Sequence, residues 1–202
     1  MKLYLTPGAC SLSPNIVAHE AGIPLELKKV DLKSKTVSGG GDYNQVNPKG
    51  SVPLLLLDNG ESLTEGPAIV QYLADQKPQS KLMPATGTTE RYKALEWLNF
   101  ITSEIHKSFS PLFNPTAVDA WKQAALANLH KRFDFVEAHL KNRQYLLGDQ
   151  FSVADAYLFT VLGWTKYVGI DLAKWPTLQA YVARVGARPK VQEAIKAEQS
   201  LA

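Results

Sequence analysis

Met1-Lys-Leu-Tyr-Leu-Thr-Pro-Gly-Ala-Cys10-Ser-Leu-Ser-Pro14 opens the chain and decides how the rest is read. Lys2–Leu5 reads as a short strand and Pro7-Gly8 as a turn. Ser13-Pro14 has the form of a helix N-cap with proline at the first helical position. The only cysteine, Cys10, falls at this junction. A strand that runs through a turn into a helix begins an α/β unit.

Working outward, the next residues keep alternating. Ile16, Val17 and Ala21 mark the apolar side of the first helix, and Gly22 stops it. Leu25–Leu32 reads as a second strand, and the polar, glycine-ending stretch from Lys33 to Gly41 as a flexible loop. Asp42–Val46 fits a short helix closed by Asn47-Pro48. Val52–Leu57 and Glu61–Thr64 form a hairpin around Asp58-Asn59-Gly60. A helix then begins near Pro67 and carries Ile69, Val70, Tyr72 and Leu73. The order is βαβαββα over residues 1–76.

From 77 to 88 the pattern lapses into a linker. Beyond it, 89–202 reads as all-helical. Glu90–Phe113 repeats apolar residues at 95, 98, 101, 105, 109 and 112. Ala117–Leu140 carries Leu126, Leu129, Phe133, Val136 and Leu140 in phase. Ser152-Val-Ala-Asp155 has the form of a capping box with Asp for the usual Glu or Gln. Thr177–Val185 and Pro189–Ala197 complete the set. An α/β unit followed by an all-α unit makes two domains.

Charge and composition narrow the function. A net charge of +3 without a Lys/Arg cluster argues against nucleic acid. No apolar run is long enough to span a bilayer or to serve as a signal sequence. One cysteine makes no internal disulfide. The expectation is a cytoplasmic protein without a membrane anchor. His19, His130 and His139 have no partner at metal spacing, so no metal site is expected.

Three groups of residues carry chemistry. A lone cysteine is ordinarily a small buried hydrophobe, but Cys10 at a helix N-terminus meets free N–H groups that favour its thiolate. Cys10-Ser-Leu-Ser13 is a Cys-x-x-Ser motif, so any mixed disulfide needs an external thiol. Val52-Pro53, of either peptide isomer, leaves backbone groups of Val52 available to a peptide-like ligand. Glu65-Gly66 at a helix start offers N–H donors to a carboxylate and a carboxylate to an ammonium, although Glu65 equally fits a plain helix-start acid. Asn99, Ser103 and His106, spaced by four and three, form a polar row beside the apolar one.

Taken together, the βαβαββα unit, the Val-Pro strand, Leu63-Thr-Glu-Gly66 and the Ser-Val-Ala-Asp cap resemble a glutathione transferase. Pro7-Gly-Ala-Cys-Ser11 and Glu104-Ile-His-Lys107 resemble its bacterial beta class. The resemblance spans essentially the whole chain. It implies a thioredoxin-like α/β domain, an all-α C-terminal domain, a homodimer, and glutathione as co-substrate. It implies that Val52, beside Pro53, pairs with the cysteinyl part of glutathione, that Glu65 and Gly66 hold the γ-glutamyl end, and that Lys35 reaches the glycyl carboxylate. Cys10 and Ser11 would lie beside the sulfur, with Asn99, Ser103, His106 and Lys107 supplied by the helical domain.

Cys10 and His106 are then the catalytic candidates, which with the helix dipole hold the glutathione thiolate. The class departs from relatives that place a Tyr or Ser there, and Tyr4 sits inside the strand. Thr6, Ala9, Phe109, Phe113, Tyr157, Trp164 and Tyr167 are candidates for an apolar pocket taking a haloaromatic or other xenobiotic electrophile. Core packing is the competing account of each aromatic. The rival functions are a glutathione-dependent thiol–disulfide oxidoreductase using Cys10 and a non-catalytic carrier of hydrophobic ligands.

Overall fold

The structure is a computed structural model, and it describes residues Met1–Leu201. The chain forms two compact units, Met1–Met83 with the residues from Ala187 onward, and Pro84–Gly186.

The first unit is built on a five-stranded sheet of order β3-β2-β1-β4-β5. Its strands are β1 (Lys2–Leu5), β2 (Glu26–Asp31), β3 (Thr36–Val37), β4 (Leu54–Leu56) and β5 (Ser62–Thr64). β1 runs parallel to β2, with Leu3 opposite Leu27, and antiparallel to β4, with Tyr4 opposite Leu54. β4 and β5 form the hairpin expected around Asn59-Gly60. Leu3, Leu5, Leu54 and Leu55 are fully buried. Helices α1 (Leu12–Ala21), α2 (Tyr43–Val46) and α3 (Gly66–Gln76) complete the thioredoxin-like core.

Two local expectations shift. The stretch Lys33–Gly41 contains β3, held antiparallel on β2 by Val30 opposite Val37, so it is not wholly a loop. Helix α1 begins at Leu12 with Ser11 as its N-cap, two residues earlier than Ser13-Pro14 suggested. Ser11 lends its hydroxyl to Thr6, accepting the Thr6 N–H and donating to the Thr6 carbonyl, both at 3.2 Å. Ser13 sits inside the helix and donates to the Cys10 carbonyl. Gly22 ends the helix in the left-handed conformation, φ 67°, that glycine tolerates without strain.

The second unit comprises α4 (Thr89–Phe100), α5 (Ser110–Phe113), α6 (Asp119–Leu140), α7 (Val153–Leu162) and α8 (Pro176–Gly186). The single helix expected over Glu90–Phe113 is broken. After α4 it widens into a π turn at Ile101–His106, tightens into a 3-10 turn at Lys107–Phe109, and resumes as α5. On α6 the buried row is Ala125, Leu129, Phe133, Val136 and Leu140, so Ala125 takes the place expected of half-buried Leu126.

The last helix, α9 (Pro189–Gln199), was expected in the helical domain of 89–202. It packs in the first unit instead, against α1. Val191 and Ala194 supply its apolar stripe, and Arg188 pins its start to Glu20 at 2.6 Å. The expected linker at 77–88 holds a 3-10 turn at Pro78–Ser80, and Thr88 caps α4.

Candidate active site

Cys10 lies in the turn between β1 and α1, half-buried, with Sγ 3.2 Å from the Val52 carbonyl. Val52 and Pro53 precede β4, outside the strand ladder, and the peptide between them is cis. Val52 joins Val30 and Tyr43 in a buried cluster onto which Ala9 and Tyr4 pack. The Thr6 hydroxyl is committed to the Val30 carbonyl at 2.7 Å.

Gly66 opens α3 within reach of the same turn. A Cβ there would meet Pro53 and Ser13 at 4.0 Å. Glu65, the N-cap of α3, holds φ 69° and ψ 112°, a sparsely populated conformation for a residue with a Cβ. Lys35 also has positive φ, 58°, and its Nζ donates to the Gly50 carbonyl at 2.6 Å. Among the described residues only Lys81 shares this conformation outside glycine, so two of the three strained positions are ones that the glutathione motif singles out.

Two residues that sequence reading missed complete this region. Lys49 places Nζ 2.7 Å from the Glu65 carboxylate and 2.8 Å from the Thr64 hydroxyl. Glu198 of α9, 2% exposed, accepts the Gly8 N–H at 2.9 Å and faces the Asn15 amide at 3.4 Å. Gly8 takes φ 75° in the turn that carries Cys10, so Glu198 anchors that turn from a residue 190 positions away. An acid on the buried stripe after Val191 and Ala194 was the available signal.

The electrostatics of Cys10 reverse the expectation of a lowered pKa. Burial pushes its thiol up to about 11. The N–H groups of Cys10 and Ser11 pull it down, as a helix start should, and the charges of Glu65 and Glu198 push it back up. Burial also raises Glu198, to about 7, against the opposing bonds from Gly8 and Asn15.

In the second unit, Asn99 and Ser103 are exposed and turn back on their own helix, bonding the Leu95 and Asn99 carbonyls. Lys107 is exposed. His106 is half-buried, with Nδ1 2.6 Å from the Tyr157 hydroxyl and its ring edge-on to Trp164, centroids 4.8 Å apart. Burial, then the charge of Lys107, lowers its pKa to about 4, so the imidazole is neutral at pH 7. If Tyr157 donates to Nδ1, the ring proton is on Nε2.

Phe109, Phe113 and Trp164 form a cluster of rings with centroids 5.5–6.1 Å apart. Phe109 and Tyr157 are buried, and Phe113 is exposed. Tyr167, 65% exposed, makes its ring contact with Lys166 and stands apart from that cluster. Among the described residues no group of acidic, His or Cys side chains could hold a metal, and no helix is long and apolar enough to cross a membrane.

A cysteine turn, a cis Val-Pro peptide and a Glu-Gly helix start on one thioredoxin-like sheet, followed by a helical unit, define a class. The chain belongs to the glutathione S-transferase family. The model of the family's N-terminal domain matches residues 8–76 and that of its C-terminal domain residues 100–189. The chain is similar to glutathione S-transferase GstA of Escherichia coli O157:H7, 46% identical over 98% of each chain. Among solved structures it is similar to a ternary complex of BphK, a bacterial GST, at 59% identity and TM-score 0.97, covering 98% of this chain and 100% of that one. A beta-class glutathione S-transferase of Sphingomonas chungbukensis is 47% identical, with TM-score 0.95 and 98% of each chain covered. A sphingomonad glutathione S-transferase complexed with glutathione is 48% identical, with TM-score 0.95, covering 98% and 99%. The chain is thus a glutathione S-transferase of the beta class.

Proposed function

We propose that this glutathione transferase joins the glutathione thiolate to small hydrophobic electrophiles of the haloaromatic or xenobiotic type. The observation that carries the reading is the gathering of Cys10, Val52-Pro53 and Gly66 around one turn, with Glu65 beside them. The Val52 carbonyl has two lone pairs and can accept the ligand's cysteinyl N–H beside the Cys10 thiol. Glu65 with Gly66 takes the γ-glutamyl end, Lys35 the glycyl carboxylate, and Cys10 and Ser11 flank the sulfur. In the helical unit the reading assigns Asn99, Ser103, His106 and Lys107 to glutathione. It assigns Phe109, Phe113, Tyr157, Trp164 and Tyr167, with Thr6 and Ala9, to the electrophile. The reading includes a homodimer working in the bacterial cytoplasm.

The raised Cys10 pKa favours conjugation over the oxidoreductase reading. A thiol that ionises near 11 is a neutral hydrogen-bond donor at pH 7 and a poor nucleophile. The nucleophile is then the glutathione sulfur: the thiol gives its proton to solvent, and the thiolate forms the carbon–sulfur bond as the carbon–halogen bond breaks and halide leaves. Each unit by which the site lowers that thiol's pKa needs about 1.4 kcal/mol of preferential stabilisation of the thiolate.

The test is conjugation of glutathione to 1-chloro-2,4-dinitrobenzene by wild-type protein and by Cys10→Ala. The expected result is that the variant retains conjugation and that wild type shows no Cys10-dependent reduction of glutathione mixed disulfides; loss of conjugation in the variant, or reduction that disappears with Cys10, would contradict it. Glutathione binding by wild-type protein without conjugation of this or other haloarenes would instead support a carrier.

A further inference from the structure

The winding of the helix that carries His106 changes where a second helix touches it. Asn99, Thr102, Ser103 and Ser108 each donate to a carbonyl four residues back, at 2.8–3.0 Å. Such bonds compete with the α ladder and loosen it, but they occur on ordinary helices and do not decide where a turn widens. The Glu104 carbonyl differs, because it also receives a donor from outside the helix. Asn128 of α6 donates its side-chain amide to Glu104 O at 3.1 Å and to Ser108 Oγ at 2.7 Å. Ser108 Oγ in turn donates to Glu104 O, closing a triangle. Arg132, one turn along α6, pairs with the Glu104 carboxylate at 2.6 Å. A side chain inserted into a helical ladder is a recognised cause of such irregularities, and π turns cluster at functional positions.

The consequence falls on His106. In an uninterrupted α-helix, 99, 103 and 106 share one row. The π turn puts more residues into each turn over Ile101–His106, so the row has shifted by the time the chain reaches His106 at its end. Asn99 and Ser103 stay exposed, while His106 leaves the row and meets Tyr157 and Trp164. We propose that Asn128, acting with Ser108 on the Glu104 carbonyl, is a positioning residue that holds the π turn and so aims His106 at Tyr157. Its link to catalysis rests on the reading of His106 as a site residue; the positioning itself does not.

The test is the His106 ring titration, followed by NMR in wild-type protein, Asn128→Leu and Ser108→Ala, with the signal assigned from a His106→Asn sample. The groups facing the ring are the Tyr157 hydroxyl, the Trp164 indole and the Lys107 ammonium. Wild-type His106 stays neutral down to about pH 4. With Asn128→Leu the helix should rewind and the midpoint should rise by a unit or more toward the ordinary value of about 6.5. Ser108→Ala should move it the same way by less, and it decides the matter if Asn128→Leu does not fold. A folded Asn128→Leu, or failing that a folded Ser108→Ala, whose His106 midpoint equals wild type would overturn the proposal. A shifted midpoint with unchanged kcat/KM would support the positioning role and remove His106 from catalysis.

Discussion

Asp155 and Glu198 are both buried carboxylates, one at the start of α7 and one beneath the Cys10 turn. They settle in opposite ways. Asp155 gathers donors from the Leu146 N–H, the Ser152 N–H and hydroxyl, and the Tyr181 hydroxyl. Glu198 has the Gly8 N–H and a long contact to the Asn15 amide, whose own oxygen is buried without a hydrogen-bond partner among the described residues. Burial raises both, Asp155 to about 6 and Glu198 to about 7. The richly bonded acid is a structural staple. The poorly bonded one is an anchor for the turn that presents Cys10, and it contributes charge to that thiol's surroundings. How fully a buried acid is satisfied separates the residue that holds a fold from the one that tunes a site.

The comparison breaks most visibly at Asp155. Replacing it with Ala leaves several buried donors unmatched, each worth roughly 1–3 kcal/mol. The expected loss is about 4 kcal/mol or more, seen as a collapse of the urea midpoint. A loss under ~1 kcal/mol would deny it the staple role.

Glu198 answers through pH. Its folded pKa lies above the ordinary glutamate value of 4.5, so the folded state holds the proton longer than the unfolded chain. Its contribution is therefore full below pH 4.5 and is lost as pH rises through about 7. The shift bounds that loss at about 3 kcal/mol. Urea unfolding of wild type and Glu198→Gln across this window checks it. The stability of wild type relative to the variant should fall steadily with pH, and a constant difference would show that Glu198 ionises normally.

The smallest effect concerns an exposed acid. Lys49 pairs with Glu65 at 2.7 Å, both side chains more than half exposed. Such pairs are worth about 0.2–1 kcal/mol. Because Lys49 occupies the carboxylate assigned to the ligand's ammonium, Lys49→Ala should tighten glutathione binding by up to about fivefold in calorimetry. Weaker binding would make Lys49 a ligand contact in its own right.

How much could be read from the sequence depends on the range of the forces involved. Asp155 was legible because a capping box spans four consecutive residues. The hairpin at Asn59-Gly60, the Gly22 stop and β1 were readable for the same local reason. Cys10, Val52 and Gly66 could be named from their motifs, and the fold brings them to one turn. Glu198 could not be tied to Gly8, because that bond crosses 190 residues. The π turn was hidden because Asn128 reaches it from another helix, 24 residues away from Glu104, and the Asn, Thr and Ser residues along Asn99–Ser108 are compatible with an ordinary helix. The Cys10 pKa was misjudged because a helix N-terminus is a local signal, whereas burial and the Glu65 and Glu198 charges come from the assembled unit.

The central claim is that Cys10 stands as a neutral thiol beside the sulfur that reacts. The most direct measurement follows thiolate absorbance against pH in the free protein, in Glu198→Gln, and in the glutathione complex. The account predicts no Cys10 thiolate at pH 7, a midpoint near 11 that falls when the Glu198 charge is removed, and one thiolate in the complex, belonging to glutathione. A thiolate in the free protein at pH 7, or two in the complex, would make Cys10 an active nucleophile and contradict it.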